Sequence, residues 1–474
     1  MLFNSYEFVI FLVFLFIIYY LPFFRKKQIF ILIIASFIFY AFNNAALLLL
    51  LLVSIIINST SSYLIVYGNQ RYKKFWAVSG VVLNLLILFI FKYSPLIART
   101  FISRNEQGFL YDFLVTIPLP IGISFFTFQG ISLVVDVFRD KPEKSGDHSK
   151  LVSGSIVNHF TNIAFYKSFF PQLIAGPIVK AHDFLFQIGY KEKKNINIEL
   201  VFKRLVLGYF LKVVIADNLK EHTVFMIYPY FSDLPTGSLL ILLYGYSIQI
   251  FADFAGYSFI ALGLAGLFGY ELPENFNFPY LSGSFSEFWK RWHISLSSWL
   301  KEYLYIPLGG SRKGGARTYL NLMIVMFLGG LWHGAAWSYA IWGSFHGLLL
   351  VLERFFRGGW KLKQTLPLQI LKTIIVFSCV SFAWLLFKLP DFDQVILFVK
   401  AFINNSYKHF YFVKFNIYIL LYSLPVIFYY ITHILLKYQT RNFILRNEYL
   451  IYAGMLFLII TNPGFQGEFI YFQF

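Results

Sequence analysis

The chain has 474 residues, of which 58% are hydrophobic, 21% aromatic and only 13% charged. A soluble domain carries about a quarter charged residues, so a water-soluble globular fold is excluded. The 40 Lys and Arg against 23 Asp and Glu leave a formal charge of +17, which at this hydropathy points to loops held beside anionic headgroups and not to nucleic acid.

In chain order, the run FVIFLVFLFIIYYLPFF (8–24) approaches the ~20 apolar residues that cross a bilayer. It is expected to be retained and not cleaved as a signal. No basic stretch precedes it, Arg25, Lys26 and Lys27 follow it, and no small-residue cleavage site is evident. The first six residues lack Lys and Arg, so the positive-inside rule puts the N-terminus outside. Residues 6–24 then run inward, 28–43 outward, 45–66 (with ALLLLLLVSIIINSTSSYLIV) inward to Arg71, Lys73 and Lys74, and 75–94 outward. The next span, about 113–137, holds IPLPIGISFFTFQG, whose two prolines predict a broken helix. It ends in the polar connector RDKPEKSGDHSK (139–150).

FYKSFFPQLIAGPIVKAHDF (165–184) has lysines on both flanks and two proline-centred breaks, the pattern of a re-entrant element on the cytoplasmic side. Residues 201–218 and 236–268 read as further spans; in the second, Gln249 and Asp253 share a helical face. Residues 270–318 interrupt the oily pattern. Within them, 284–305 predicts amphipathic helices in the interface plane anchored by Trp289, Trp292 and Trp299, and 309–317 a basic cytoplasmic loop. Spans follow at about 319–335, 337–353, 368–388, 415–436 and 446–461. The expected fold is therefore an all-α polytopic membrane protein, a single domain over 1–474 with roughly eleven to thirteen crossings or part-crossings. The lone Cys379 allows no internal disulfide, and no Cys/His cluster has zinc spacing. No P-loop, dinucleotide glycine fingerprint or internal repeat is present.

Polar groups at membrane depth are costly and face a protein interior or a cavity. His333, in GGLWHGAAW (329–337), is the foremost candidate. A neutral imidazole can take a proton from a hydroxyl; the competing reading is a packed histidine bonded to a carbonyl. The second candidate is FSEFWKRWHISLSSWL (285–300), where His293 follows Lys290 and Arg291. It reads as a docking place for a phosphate-bearing thioester donor or as a basic membrane-surface helix. His346 lies thirteen residues after His333, which is not a same-face metal-ligand spacing, and reads as structural. Asp253, Asn275 and Asp136 are candidates that caps, turns or interhelical bonds would equally explain.

Several long stretches, in order, resemble the membrane-bound O-acyltransferase (MBOAT) superfamily, and within it the bacterial alginate O-acetyltransferase branch, which has D-alanyl-transfer proteins among its relatives. They are SFFTFQGISLVVDVFR (124–139), FFPQLIAGPI (169–178), IFADFAGYSFIALGLAGLFGYELPENFNFPY (250–280), SFSEFWKRWHISLSSWLKEYLYIPLGGSR (284–312), GGLWHGAAWSYAIWGSFHG (329–347) and FIYFQF (469–474). Ala255 stands where the family pattern has serine. The resemblance implies an MBOAT fold: a ring of about eleven transmembrane helices, with re-entrant and interfacial helices, around a central tunnel. It implies His333 as the signature histidine, beside Trp332 of the Trp-His-Gly motif, and His293 as the second. Lys290, Arg291, Asn275, Trp332 and Asp253 become donor- or substrate-binding candidates, with the glycines around His333 admitting a pantetheine arm. No tightly bound cofactor is implied; acetyl-CoA or an acyl-carrier thioester is the donor substrate.

The expected function is transfer of an acyl group, foremost acetyl, to a hydroxyl for cell-surface or exopolysaccharide O-acetylation. The expected setting is the bacterial cytoplasmic (inner) membrane. The bilayer is a partner, together with a periplasmic or extracellular SGNH-type acetyltransferase or a polysaccharide acceptor; an acyl carrier protein is a further candidate. D-alanyl transfer from a carrier, or a transporter with a histidine proton relay, are the competing readings.

Overall fold

A computed structural model of the chain describes residues 1–42, 44–102, 108–140, 151–174, 176–357, 365–389, 391–435, 447–465, 467, 469 and 470. The polar connector from 141 onward and the last four residues of FIYFQF lie outside them. Among the described residues there are helices and one isolated antiparallel bridge, and no strand. They form two compact units: Met1–Phe202 with Ile260–Pro273, and Lys203–Phe259 with Glu274–Phe474.

Among the described residues, five helices are long and apolar enough to cross a membrane: Ala46–Tyr67, Gln70–Phe101, Thr236–Leu267, Leu366–Lys388 and Lys414–Leu435. Their exposed side chains are themselves apolar, as at Ile56, Val82, Ile374 and Phe428. Such exposure is what a hydrocarbon solvent permits and water does not. The chain is an all-α, multi-pass membrane protein.

In the first unit, α1 (Tyr6–Tyr20) and α2 (Gln28–Ala41) are joined at a 95° bend. The sequence reading gives these residues two full crossings. The structure instead has arms of 15 and 14 residues, about 22 Å each at 1.5 Å per residue and short for a ~30 Å hydrocarbon core. Leu21, which precedes Pro22, is extended (φ −63°, ψ 132°) and breaks the helix. α3 (Ala46–Tyr67) and α4 (Lys73–Leu88) lock through reciprocal amide bonds between Asn58 and Asn84, at 3.1 and 2.9 Å. The proline-bearing segment is broken as expected: α5 (Phe109–Thr116) stops before Pro118 and α6 (Ile123–Arg139) starts after Gly122.

The 165–184 stretch is irregular and buried. α7 (Ile156–Ser168) ends and two four-residue helices, Phe170–Leu173 and Ala181–Phe184, follow. Its loose backbone groups are satisfied internally. Gln172 Nε2 donates to the Tyr166 carbonyl (2.7 Å), the Tyr166 hydroxyl to the Val179 carbonyl (2.8 Å), and the Phe170 N–H to Ser36 Oγ (3.1 Å). Non-helical backbone away from water requires such partners.

The second unit begins at Lys203 within α8 (Ile198–Tyr209), which continues through a π-turn into α9 (Asp217–Thr223), and α10 (Thr236–Leu267) supplies most of its 32 residues. Two seven-residue helices follow, α11 (Phe285–Arg291) and α12 (Ile294–Leu300), then the hairpin of α13 (Gly315–His333) and α14 (Trp337–Arg357). α15 (Leu366–Ala383), α16 (Phe392–Asn404), α17 (Lys414–Leu435) and α18 (Glu448–Thr461) complete it. α16 falls where the apolar pattern suggested no span.

Contrary to the interfacial-anchor expectation, Trp292 and Trp299 are buried, at 1% and 6% exposure. Trp292 packs among Phe276, Phe288 and Trp384 with centroids 5.0–5.7 Å away. Burial of large aromatic area outweighs what an indole gains at the headgroup level.

The α13–α14 hairpin depends on glycine contact. A Cβ on Gly330 would overlap the Tyr339 carbonyl, and one on Gly343 would overlap the Met326 carbonyl and stand 3.0 Å from the Gly330 Cα. Backbone cannot give way as a side chain can, so the helices approach this closely only with hydrogen at both positions. Gly343→Ala is therefore expected to cost about 1–3 kcal/mol or more and to lower the thermal unfolding midpoint in detergent. Gly315→Ala, where a Cβ would meet nothing within 4 Å, is the matched control. Equal midpoints for the two variants would contradict the close-contact account.

Candidate active site

α13 ends at His333, whose successor Gly334 is extended (φ −165°, ψ 156°). The imidazole is 3% exposed. Trp332, Trp342 and Phe387 stand edge-on to it at 5.1, 5.1 and 5.3 Å between centroids. His293 stands 6.4 Å from it at 57°. Both histidines belong to the second unit, so the residues singled out from sequence are brought face to face across forty positions of chain.

His293 is placed by a local device. Ser284 caps α11, its Oγ accepting the Glu287 N–H at 3.2 Å, while Glu287 Oε2 reaches back to accept the N–H of Gly283, the residue before the cap, at 2.9 Å. Glu353 of α14 fastens this end by accepting from the Ser286 hydroxyl (2.6 Å) and N–H (3.0 Å). At the other end, the backbone of 275–277 pairs with 291–294. The Asn277 N–H donates to the Arg291 carbonyl at 2.9 Å and the Ile294 N–H to the Asn275 carbonyl at 3.0 Å. Between these anchors His293 is held at φ 44°, ψ 54°, a left-handed backbone that a histidine rarely adopts.

The same pairing puts Asn275 against the ring. Asn275 Nδ2 donates to Ser258 Oγ (3.2 Å), and Oδ1 accepts from the Ser295 N–H (3.3 Å) and hydroxyl (2.8 Å). A backbone N–H can only donate, so the amide oxygen faces this way. His293 Nδ1, 3.1 Å from that oxygen, must then carry the proton. His293 is thus the Nδ1–H tautomer, with its basic lone pair on Nε2. Phe254 covers the ring edge-on at 4.6 Å. Burial pushes the imidazole down to about 3, so it is neutral near neutral pH.

The remaining candidates divide. Trp332, 3% exposed, lies 5.9 Å from His293 as well as beside His333. Lys290 is exposed. Arg291 is engaged by Glu287 (Nη2–Oε1 2.8 Å) and by the Asn277 carbonyl (3.2 Å). Asp253 takes part in a buried ion cluster: Lys212 Nζ stands 2.7 Å from both Asp217 Oδ1 and Asp253 Oδ1, and Asp253 Oδ2 accepts the Ile470 N–H at 2.8 Å. This holds Ile470 in place, with Phe469 stacked on Tyr257 at 4.6 Å and 5.9 Å from Phe254. Asp253 thereby sits one residue from the ring that covers His293. Asp136 belongs to the first unit and pairs with His182 at 2.8 Å.

His346 is fully buried among Trp342 (4.8 Å), Trp289 (5.2 Å) and Phe288 (6.1 Å), in keeping with a packing role. A cavity of about 100 Å³ opens beside His333 and Gly329. Trp289 and Trp342 line it, and their buried indole nitrogens have no hydrogen-bond acceptor among the described residues. Sequence reasoning missed both tryptophans as site residues. The only available signal was tryptophan density, with nine in the chain and three in 289–299. Of the glycines expected to admit a substrate arm, Gly330 and Gly334 pack against Tyr339; Gly329 borders the cavity.

Helices fit for a membrane and two buried histidines in one apolar unit define a polytopic membrane protein with a buried candidate site. The chain belongs to the MBOAT, membrane-bound O-acyltransferase family, whose model matches residues 38–390. That span holds both histidines, Asn275 and the cavity. The "Probable alginate O-acetylase AlgI" of Azotobacter vinelandii is 38% identical over 323 residues, 67% of this chain and 60% of the relative. The "Peptidoglycan O-acetyltransferase" of Helicobacter pylori is 35% identical over 355 residues, 70% of this chain and 65% of the relative. The "Teichoic acid D-alanyltransferase" of Bacillus subtilis is 27% identical over 348 residues, 70% of this chain and 82% of the relative. The chain thus spans less than two thirds of the length of the acetyl-transferring relatives.

A neutral buried His293 fixes a pH dependence. The unfolded chain protonates this residue below about 6.5, whereas the folded chain resists down to about 3. The unfolded state therefore binds more protons in that window, and stability falls as pH drops through it, by up to about 1.4 kcal/mol per pH unit. The unfolding midpoint of His293→Gln is expected to decline less steeply between pH 6.5 and 4 than that of the wild type. Parallel declines would contradict a buried neutral ring.

Proposed function

We propose that the protein is an O-acyltransferase that moves an acetyl group from a cytoplasmic thioester, such as acetyl-CoA or an acyl carrier, to a hydroxyl at the cell surface. The observation that carries this is the facing of two buried imidazoles, one of fixed tautomer, across 6.4 Å. His333 accepts the proton of the acceptor hydroxyl as its oxygen bonds to the thioester carbonyl carbon. His293, held at Nδ1 by Asn275, keeps the reacting hydroxyl in register through Nε2. The tetrahedral intermediate expels the thiolate by breaking the C–S bond, and the proton on His333 passes to that sulfur.

Nucleophile and carbonyl are both neutral before reaction, so charge develops only in the transition state. A low-dielectric site rewards fixed dipoles aimed at that charge. The names of the relatives supply the acceptor class, hydroxyl-bearing polymers such as alginate and peptidoglycan. A partner of SGNH type that receives the group first is part of the proposal, as is a bacterial inner membrane with the N-terminus outside. The teichoic acid relative makes D-alanyl the alternative group.

The test is transfer from radiolabelled acetyl-CoA to alginate oligosaccharides, peptidoglycan fragments or a co-purified periplasmic partner, with the protein in nanodiscs. Wild type is expected to transfer label. His333→Ala, shown to be folded and monodisperse, is expected to lose about 100-fold or more. Undiminished transfer by His333→Ala would remove the assigned base.

A further inference from the structure

The cavity beside His333 has a form that the assignment of the two histidines leaves unused. Its walls include Leu296 and Leu300 of α12, Val325 and Met326 of α13, and Leu350 of α14. Among the described residues that line it none is Asp, Glu, Lys or Arg, and the hydroxyl of Ser297 is turned to the Trp292 carbonyl at 3.4 Å. One side is open to Gly329, where an added Cβ would come 3.1 Å from Leu300 Cδ1. The other side carries Trp289 and Trp342, whose rings stand 5.7 Å apart; Trp342 is also edge-on to His333 at 5.1 Å.

We propose that this cavity is the acyl-group pocket, that it admits only a short uncharged acyl chain, and that the Trp342 and Trp289 indole N–H groups serve the acyl oxygen. The proposal rests on the acyltransferase reading and deepens it. Size sets the first limit. An apolar cavity of about 150 Å³ accommodates benzene, so about 100 Å³ takes a group of about four heavy atoms. Acetyl and propionyl fit within that volume, butyryl is marginal and hexanoyl exceeds it. Charge sets the second limit. An alanyl ammonium in this pocket would be buried with no carboxylate to receive it, which costs several kcal/mol.

Hydrogen bonding sets the third condition. A buried indole N–H without an acceptor is costly and normally finds one. A thioester carbonyl with its carbon near His333 supplies that acceptor. As the hydroxyl attacks, the C=O becomes C–O⁻ and the same donors strengthen their hold on it. Leu300, Met326 and Gly329 then act as the ruler, and Trp342 as the oxygen donor nearest the base.

The experiment compares acetyl-, butyryl- and hexanoyl-CoA as donors in the nanodisc assay, scored as rate ratios within each variant so that yield and partial misfolding cancel. Wild type is expected to use hexanoyl-CoA at least about 100-fold less well than acetyl-CoA. Leu300→Ala and Met326→Ala are expected to raise the hexanoyl-to-acetyl ratio about tenfold or more, and Gly329→Ala to lower the butyryl-to-acetyl ratio. Trp342→Phe is expected to cut kcat for acetyl transfer by about 100-fold. Unchanged ratios in both Leu300→Ala and Met326→Ala, with acetyl transfer intact, would overturn the pocket and leave the acyltransferase standing. Acetyl transfer by Trp342→Phe at the wild-type kcat would remove the oxygen donor. A wild type that transfers no acetyl group from any of these donors to any acceptor would overturn the underlying reading instead.

Discussion

The arrangement of the site depends on one carboxamide. Asn275 uses its nitrogen on Ser258 and its oxygen on Ser295 and His293, so a single side chain ties α10, the loop after it and the start of α12 to one imidazole. In a medium that cannot solvate polar groups, each of these bonds is worth more intact than in water and costs more if broken. The backbone bridge Phe276–Trp292 and the left-handed His293 follow from the need to bring the amide to the ring. α11 is pinned at its beginning by Glu353 and at its end by this bridge, leaving His293 little freedom to turn.

Against that fixed ring, His333 arrives on a different element by a different device. Glycines at 330 and 343 bring the α13 and α14 backbones into contact. This carries Tyr339 and Trp342 over the end of α13 and closes the aromatic shell around the second imidazole. Gly334 serves the same end, since a Cβ there would overlap the Tyr339 ring. The glycine density that drew attention to His333 is thus mostly a packing requirement. Gly329 alone among these borders the cavity, which separates a structural use of glycine from a steric one within three residues.

Much of this was legible in the sequence. Apolar run length located the main helices, and Pro118 and Pro120 marked a real break. The four-residue spacing of Gln249 and Asp253 put both on one helical face, and there they meet Thr223 and Lys212. Legibility failed where a partner distant in the chain decides the outcome. Asp253 meets the backbone of Ile470, 217 positions away, and no local pattern announces that bond. Arg291 read as a phosphate ligand because its intrahelical partner Glu287 competes silently at i−4. Trp292 and Trp299 read as interface anchors because hydropathy does not tell burial against protein from burial against lipid. The 95° bend at Leu21 was hidden by an unbroken apolar run, although Pro22 was its cause.

The ion pairs that Lys203, Lys212 and Arg291 form in the second unit do not involve His293 or His333. Lys212 is answered by Asp217 and Asp253, Arg291 by Glu287, and Lys203 by Glu448 at 2.6 Å. What faces His333 and His293 is aromatic and aliphatic surface with a few oriented dipoles. Fixed dipoles that need no reorganisation favour the state in which charge develops. Indole and imidazole dipoles interact weakly with a neutral thioester and strongly with an oxyanion. The same choice of wall that excludes a charged acyl group thus favours the transition state, so selectivity for a small neutral acyl chain and acceleration of its transfer are two results of one apolar lining.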